Sequence, residues 1–194
     1  LSPRPPAEAV TTHPAVVAAV VEACRQAEAG RIWIADSCAG DHDEEILWER
    51  TGMSDVAEAT GAELKSCREP PTQIPCGDTQ LPVPPWLSEV DVIVSVPKLK
   101  THALTVMTAA VKNSYGLVAG GAKSLYHGTH PSPRTMSRFL VDVHDCFKPA
   151  LFVVDGITVM EGEGPANGSP VHLGVVAAGG DAVAVDTVCA QVFG

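Results

Sequence analysis

The sequence predicts a three-layer α/β fold, in which a mostly parallel sheet carries helices on both faces. Short apolar segments alternate along the chain with segments whose apolar residues recur at helical spacing. This alternation is typical of α/β proteins. Aromatic residues make up only 5% of the chain, whereas alanine, valine and glycine are frequent, which suits close packing of helix on sheet. No apolar run approaches the ~20 residues that a membrane-spanning helix needs, so no membrane is expected as a partner.

Five strands are predicted along the chain, and the third is the clearest because it is apolar enough to be buried on both faces. Their bounds are 31–36, 62–67, 90–96, 151–155 and 173–178. Residues 68–87 are dense in proline, which predicts a surface crossing without sheet pairing. The segment 156–169 is predicted to be a glycine-rich loop.

Helices are predicted between these strands. The first begins at His13-Pro14 and is closed by Gly30, since proline suits a first helical turn and glycine a helix end. The other predicted helices are 43–50, 54–61, a segment from about 101–103 to 112–113, 135–147 and 181–192. Residues 117–133 form a glycine-rich segment, for which a lid over a ligand and plain disorder are both open.

The length of 194 residues predicts a single α/β domain over residues 1–194. The chain starts at Leu1 rather than Met and stops at Gly194 directly after an apolar helix pattern. We therefore expect a trimmed chain, with a possible truncation after residue 194.

Positive charge is concentrated between Pro97 and Arg138. This segment holds six of the 13 Lys and Arg residues and none of the 23 acidic residues. A chain of net charge −10 that gathers its positive charge in this way is expected to use it on a bound small anion. Nucleic acid is not expected as a partner, because the net charge is negative, the pI is about 5.0 and aromatic residues are few.

Polar residues follow four of the predicted strands, beginning at Asp36, Lys98, Asp155 and Gly180. If these strands are parallel, the four ends share one edge of the sheet, where α/β proteins bind ligands. The predicted ligand-binding residues are Lys98, Thr101, Lys112, Asn113, Lys123, Asp36, Ser37, Asp155, Glu161 and Asp181. The predicted catalytic residues are His102, His127 and Lys100.

The physical basis of this site is the pairing of lysine with histidine. Lysine is a compact charge suited to phosphate or carboxylate, and histidine is an acid or base near neutral pH. Lys98, Lys100 and His102 alternate along an extended segment, so they are expected to point to one side. An alternative stays open for each group of residues. Lys98, Lys100 and His102 form a solvated basic loop, Lys112-Asn113 caps the end of a helix, and Glu161 only keeps its loop solvated.

Neither a metal site nor a disulfide is predicted. His102, His127 and His130 lack the H-x-x-x-H spacing of a helical metal site. The six cysteines form no C-x-x-C pair, and they are predicted to be reduced in a cytoplasmic protein. Cys24, Cys146 and Cys189 are interpreted as small buried hydrophobes.

Several motifs, in this order, resemble the family called domain of unknown function 362. They are THP at 12–14, ADS at 35–37, VPKLKTH at 96–102, VKN at 111–113, the K-x-x-x-H pair Lys123 and His127, VVDGI at 153–157, MEGEGPANGSP at 160–170 and DAVAVD at 181–186. The resemblance implies no reaction and no identified cofactor. It implies a strand ahead of residue 1 that this chain lacks. It also implies a link to redox chemistry, because some family members are fused to iron–sulfur segments.

Two alternative functions are therefore expected for this protein. The first is an enzyme that acts on a small phosphorylated or carboxylated substrate held by the lysines. The second is an accessory protein associated with iron–sulfur or redox chemistry, which would bind an electron-transfer partner.

Overall fold

A computed structural model describes residues 2–38, 42–119 and 121–194. The described strands are β1 (Trp33–Ala35), β2 (Glu63–Lys65), β3 (Thr72–Cys76), β4 (Thr79–Val83), β5 (Val94–Ser95), β6 (Lys98–His102), β7 (Val106–Thr108), β8 (Leu151–Glu161) and β9 (Ser169–Gly179). The described α-helices are α1 (Pro14–Gln26), α2 (Glu44–Arg50), α3 (Met53–Thr60), α4 (Ala110–Asn113), α5 (Ala122–Thr129), α6 (Pro133–Phe147) and α7 (Ala182–Phe193). The mixture of helices and strands confirms the α/β class.

The N-terminal part packs α1, α2 and α3 against the parallel pair β1 and β2. Val17, Val21, Trp48 and Met53 belong to the buried cluster between these elements. The helix starts follow from local chemistry: the Asp43 side chain, for example, accepts the backbone N–H of Glu45 at 2.8 Å. This part of the chain was predicted correctly because its signals lie within a turn of the element they start or end.

The larger sheet is organised around β8. Strand β9 pairs antiparallel with β8 from Phe152 opposite Gly179 to Glu161 opposite Ser169. The other edge of β8 is therefore shared by β5 and then β6, which both run parallel to it. Strand β7 pairs antiparallel with β6.

Half of the six strand pairs in the described residues are antiparallel, so the prediction of a mostly parallel sheet is wrong. Residues 156–169 were predicted as a loop, but β8 and β9 extend into this segment and leave only residues 162–168 between them. Gly156 is needed there because a Cβ atom would lie 2.8 Å from Cγ2 of Val175. Here glycine permits close strand packing rather than breaking the strand.

The proline-rich segment 68–87 also differs from its prediction, because it contains the hairpin of β3 and β4. Pro75 lies opposite Gln80, and Pro82 lies opposite Gln73. In a two-stranded antiparallel sheet, alternate residues direct their N–H groups to an open edge, where proline loses no ladder hydrogen bond.

The helix predicted from about residue 101 to 113 is mostly extended chain. Strand β6 continues to His102 and reverses into β7, and only α4 is helical. Residues 117–133, predicted as a lid or as disorder, contain α5. Gly120 of this segment lies outside the described residues. Whether α5 moves stays untested.

Cys76 and Cys146 form a disulfide that joins β3 to α6, with their Cα atoms 5.6 Å apart. The prediction of reduced cysteines is therefore wrong for this pair. The two residues are separated by 70 positions, and only the packing of the hairpin on α6 brings them together. No helix among the described residues is both long and apolar enough to cross a membrane.

Candidate functional site

Lys98 and Asp155 form a buried ion pair at the start of β6. Lys98 is 4% exposed and Asp155 is 0% exposed. Lys98 Nζ also donates to the carbonyl oxygen of Thr158 at 2.9 Å. Asp155 further accepts the backbone N–H groups of His13 at 2.7 Å and Ile157 at 3.2 Å. Burial lowers the pKa of Lys98, and the Asp155 carboxylate opposes that shift. This pair is used inside the fold, although both residues were predicted to bind a ligand.

Three other lysines converge from separate elements: Lys100 on β6, Lys112 on α4 and Lys123 on α5. Burial lowers the pKa values of all three. Each lies close enough to Asp36, which follows β1, for the negative charge of that carboxylate to oppose the lowering. Two of them contact the ring of Tyr115, whose centroid is 5.9 Å from Lys112 Nζ and 5.6 Å from Lys123 Nζ. We call Lys100, Lys112, Lys123 and Asp36 the lysine cluster.

Lys100 is held by two backbone carbonyl groups. Its Nζ donates to the oxygen of Val10 at 2.6 Å and to that of Pro165 at 3.0 Å. The pKa of Lys100 is lowered to about 8, mainly by burial, with Asp36 opposing and Lys98 adding to the shift. The register of β6 against β8 shifts between Lys98 and Lys100, which helps to explain why these lysines, predicted to point together, have different partners.

Lys112 has a different environment. Among the described residues its Nζ makes no hydrogen bond or ion pair, apart from the contact with the Tyr115 ring. Its pKa is lowered to about 8 by burial first and then by Lys100 and Lys123, whereas Asp36 opposes the shift.

The backbone around Lys112 is fixed from two sides. The Asp186 carboxylate on α7 accepts the N–H groups of Ala110 at 2.6 Å and Val111 at 3.1 Å, at the start of α4. Asn113 Nδ2 donates to Ser95 Oγ at 2.9 Å, so this predicted ligand-binding residue anchors α4 to β5.

Lys123 lies beside the segment that follows β1. Its Nζ is 3.5 Å from the carbonyl oxygen of Ser37. Burial lowers the pKa of Lys123, while Asp36 and then Cys67 and Cys38 act in the opposite direction. The Ser37 hydroxyl donates to the carbonyl oxygen of Gly116 at 2.7 Å.

Gly116 allows the Asp36 carboxylate to lie against the backbone at position 116. A Cβ atom there would lie 2.9 Å from Oδ1 of Asp36. A side chain at position 116 would therefore displace the Asp36 carboxylate.

His102 is present as a neutral hydrogen-bond donor. Its Nδ1 accepts the backbone N–H groups of Leu104 at 3.1 Å and Thr105 at 3.3 Å, so the ring proton is on Nε2. Burial lowers the pKa of His102 to about 3, with further contributions from Lys112, Lys100 and His127. At neutral pH this ring can donate a hydrogen bond but cannot supply a proton as an imidazolium.

His127 has the opposite arrangement. Its Nδ1 lies 2.7 Å from the carbonyl oxygen of Lys123, and a carbonyl can only accept. Nδ1 therefore carries a proton, and in the neutral ring Nε2 is left as an acceptor. The His127 ring centroid is 5.7 Å from that of Tyr115. The cluster thus has one imidazole donor and one imidazole base nearby.

Other predicted site residues lie elsewhere. The Thr101 hydroxyl donates to Gly162 O at 3.0 Å, and exposed Glu161 ends β8 opposite Ser169. Asp181 caps α7 by accepting the N–H of Ala184 at 2.8 Å. Because β9 is antiparallel, Asp181 lies at the edge where β8 begins, so the prediction that four strand ends share one edge is wrong for this residue.

Tyr115 was not predicted as part of the site, because it carries no charge signal in the sequence. For Asp186 the sequence left a pocket-facing and a solvent-facing role equally open, because its partner at α4 lies more than 70 positions away. His130 stacks on Phe139 with ring centroids 4.5 Å apart. Among the described residues, no group of three His, Cys, Asp or Glu side chains is arranged to hold a metal ion.

Cavities where a ligand could bind are bordered by the described residues. One of about 490 Å³ lies between β9 and α7 and is lined mostly by valine and alanine, away from the lysine cluster. Another, of about 220 Å³, is bordered by Cys67 and by Gly121 and Ala122, which directly precede Lys123.

Comparison with known proteins gives a family but no activity. The chain is 37% identical over 108 residues to the thylakoid-associated protein sll1697 of Synechocystis sp. (strain ATCC 27184 / PCC 6803 / Kazusa). The match covers 54% of this chain and 33% of that protein, so the chain spans about a third of the length of this curated relative. The sequence model described as "Domain of unknown function (DUF362)" matches residues 1–191. The chain therefore belongs to the DUF362 family, as its motifs predicted.

Proposed function

We propose that the protein binds a small phosphorylated or carboxylated anion at the lysine cluster and acts on it as an enzyme. The observation that carries this proposal is the convergence of three half-buried lysines from three elements around one carboxylate. Grouping like charges away from water is unfavourable unless a further negative charge compensates them. Perturbed charges of this kind are common at functional sites.

The chemistry available beside the anion supports an enzyme. His127 Nε2 can accept a proton, and His102 Nε2–H can donate a hydrogen bond to an oxygen that gains negative charge. Lys100 and Lys123 would hold the anionic group, because backbone carbonyl groups hold both side chains in position.

A thermal-shift survey tests the anion site, with phosphate, acetate, nucleotides and flavin mononucleotide as probes. A ligand at about 100 times its Kd adds about 2.7 kcal/mol to the unfolding free energy. For a chain of this length the expected rise in Tm is roughly 5–10 °C. Lys112→Gln is the test variant, because it removes one charge without removing a side-chain hydrogen bond to any residue in the described ranges.

Lys148→Gln is the matched control, since it removes the same charge from the exposed end of α6. The shift is expected to be lost in Lys112→Gln and kept in Lys148→Gln. If no anion raises Tm, or both variants lose the shift equally, the lysine cluster is not the binding site.

The alternative proposal is an accessory to redox or iron–sulfur chemistry. Two free cysteines, Cys38 and Cys67, lie close enough to Lys123 to oppose the lowering of its pKa. The relative named above is thylakoid-associated. Absorbance at roughly 350–450 nm after anaerobic purification would support this alternative. A colourless, iron-free protein that shows the anion shift would count against it.

The cytoplasmic location stays a prediction. A disulfide is more common in oxidising compartments, and Cys76–Cys146 therefore does not favour the cytoplasm. Cell fractionation tests the location, and thiol labelling of the fractionated protein tests whether Cys76 and Cys146 are bonded.

A further inference from the structure

We propose that Lys112 is a nucleophilic amine that forms an imine with the bound anion, whose class is then an aldehyde or ketone carrying a phosphate or carboxylate. This inference rests on the proposed anion site and names its substrate class. A 2-oxo acid has both required features, a carbonyl carbon beside an anionic group.

The contacts of the four lysines single out Lys112. Lys98 is paired with Asp155 in the core. Lys100 donates to two carbonyl oxygens, and Lys123 lies 3.5 Å from a third. These contacts favour the charged ammonium form. Lys112 has no such acceptor among the described residues, so its lone pair is available for bond formation.

The surroundings of Lys112 also favour its neutral form. Burial is the largest effect, and Lys100 and Lys123 repel a third positive charge in the same direction, whereas Asp36 opposes the shift without reversing it. A neighbouring cation and a desolvated site are the two usual means of activating a lysine for attack on a carbonyl. With a pKa of about 8, roughly a tenth of the amine is neutral at pH 7, about 300-fold more than for a lysine of ordinary pKa 10.5.

The proposed step balances without another reactant. The Lys112 nitrogen bonds to the carbonyl carbon as the C=O π bond breaks, which gives a carbinolamine after one proton moves from nitrogen to oxygen. Loss of that oxygen as water, with the second amine proton, leaves the C=N bond. His127 Nε2 can carry the proton, and His102 Nε2–H can donate to the carbonyl oxygen. Lys100 and Lys123, which are held in position by backbone carbonyl groups, bind the anionic group.

Imine trapping tests the proposal directly. The wild-type protein is incubated with pyruvate and sodium cyanoborohydride, and the modified lysine is identified by intact mass and peptide mapping. Acetone, which has the carbonyl without the anion, is the matched control probe. We expect one adduct at Lys112, formed at least tenfold faster than at Lys65 or Lys148, and little reaction with acetone.

Two readouts of the wild-type protein separate this inference from the proposed function: the phosphate thermal shift reports on the anion site, and the trapped adduct reports on the imine. Arginine cannot form an imine, so the adduct should disappear in Lys112→Arg. No adduct, or an adduct spread over surface lysines, would overturn the imine even where anions still raise Tm. If no anion raises the Tm of the wild-type protein, the binding site itself is overturned. Mapping in wild type needs no variant, so a poorly folded substitution does not weaken the test.

Discussion

The replacement Asp155→Asn tests whether the Lys98–Asp155 pair stabilises the fold rather than binding a ligand. The wild-type carboxylate accepts three donors: Lys98 Nζ and the N–H groups of His13 and Ile157. An asparagine keeps one acceptor oxygen and directs an NH₂ group at the remaining donors. The substitution also leaves the Lys98 charge buried without its counter-ion.

The expected loss of unfolding free energy is about 3–5 kcal/mol, the usual cost of removing one partner of a buried ion pair. The upper half of this range applies, because both side chains are at most 4% exposed and water cannot replace the lost acceptor. For a chain of this length, such a loss lowers Tm by about 10 °C.

Urea unfolding followed by circular dichroism measures the effect. The midpoint is expected to fall while the m-value stays constant, since the surface exposed on unfolding is unchanged. In the double variant Lys98→Met with Asp155→Asn, part of the loss should return because the unpaired charge is gone. A loss below about 1 kcal/mol in Asp155→Asn, together with loss of the anion shift, would show that Asp155 serves a ligand instead.

Three further predictions concern pH, the disulfide and α4. His102 has a folded pKa of about 3 against 6.5 for the ordinary side chain, so the unfolded chain binds the proton first as pH falls. Unfolding free energy, measured by urea titration, should therefore fall between pH 6.5 and 3 by up to about 1.4 kcal/mol per pH unit, and His102→Gln should flatten that slope. Replacing Cys76 and Cys146 by serine opens a loop that spans 70 positions, which should lower the unfolding free energy by about 4 kcal/mol. A thermal melt that is the same with and without reductant would contradict this bond. Asp186→Asn removes a charged acceptor from α4 and should weaken the phosphate thermal shift, whereas Asp43→Asn, which alters the cap of α2, should leave it unchanged; equal shifts would refute the positioning role of Asp186.

The candidate site was only partly predictable from the sequence. Lys100, Lys112 and Lys123 were identified because they stand in a segment without acidic residues, and composition alone shows that. Their separation from Lys98 was not predictable. Lys98 and Lys100 are two positions apart, yet one meets Asp155 and the other meets the carbonyl of Val10.

Local chemistry in the sequence determined α1, α2, α3, α6 and α7, the positions of β1 and β2, and the family. Capping side chains, glycine ends and apolar periodicity act over a few residues, so they can be recognised without knowing the fold. The antiparallel β9, the β3–β4 hairpin and the Cys76–Cys146 bond were decided by tertiary packing. Each depends on segments brought together from distant parts of the chain.

The same distinction holds for charge. The sequence determined that positive charge is concentrated in one segment. The tertiary structure decided which lysine is paired in the core, which is held by carbonyl groups and which has no acceptor among the described residues. The physical reason is that a charge responds to its burial and to the groups nearest to it. For Lys98 these come from β8 and for Lys100 from the N-terminal segment, whereas Lys112 is repelled by Lys100 on β6 and Lys123 on α5.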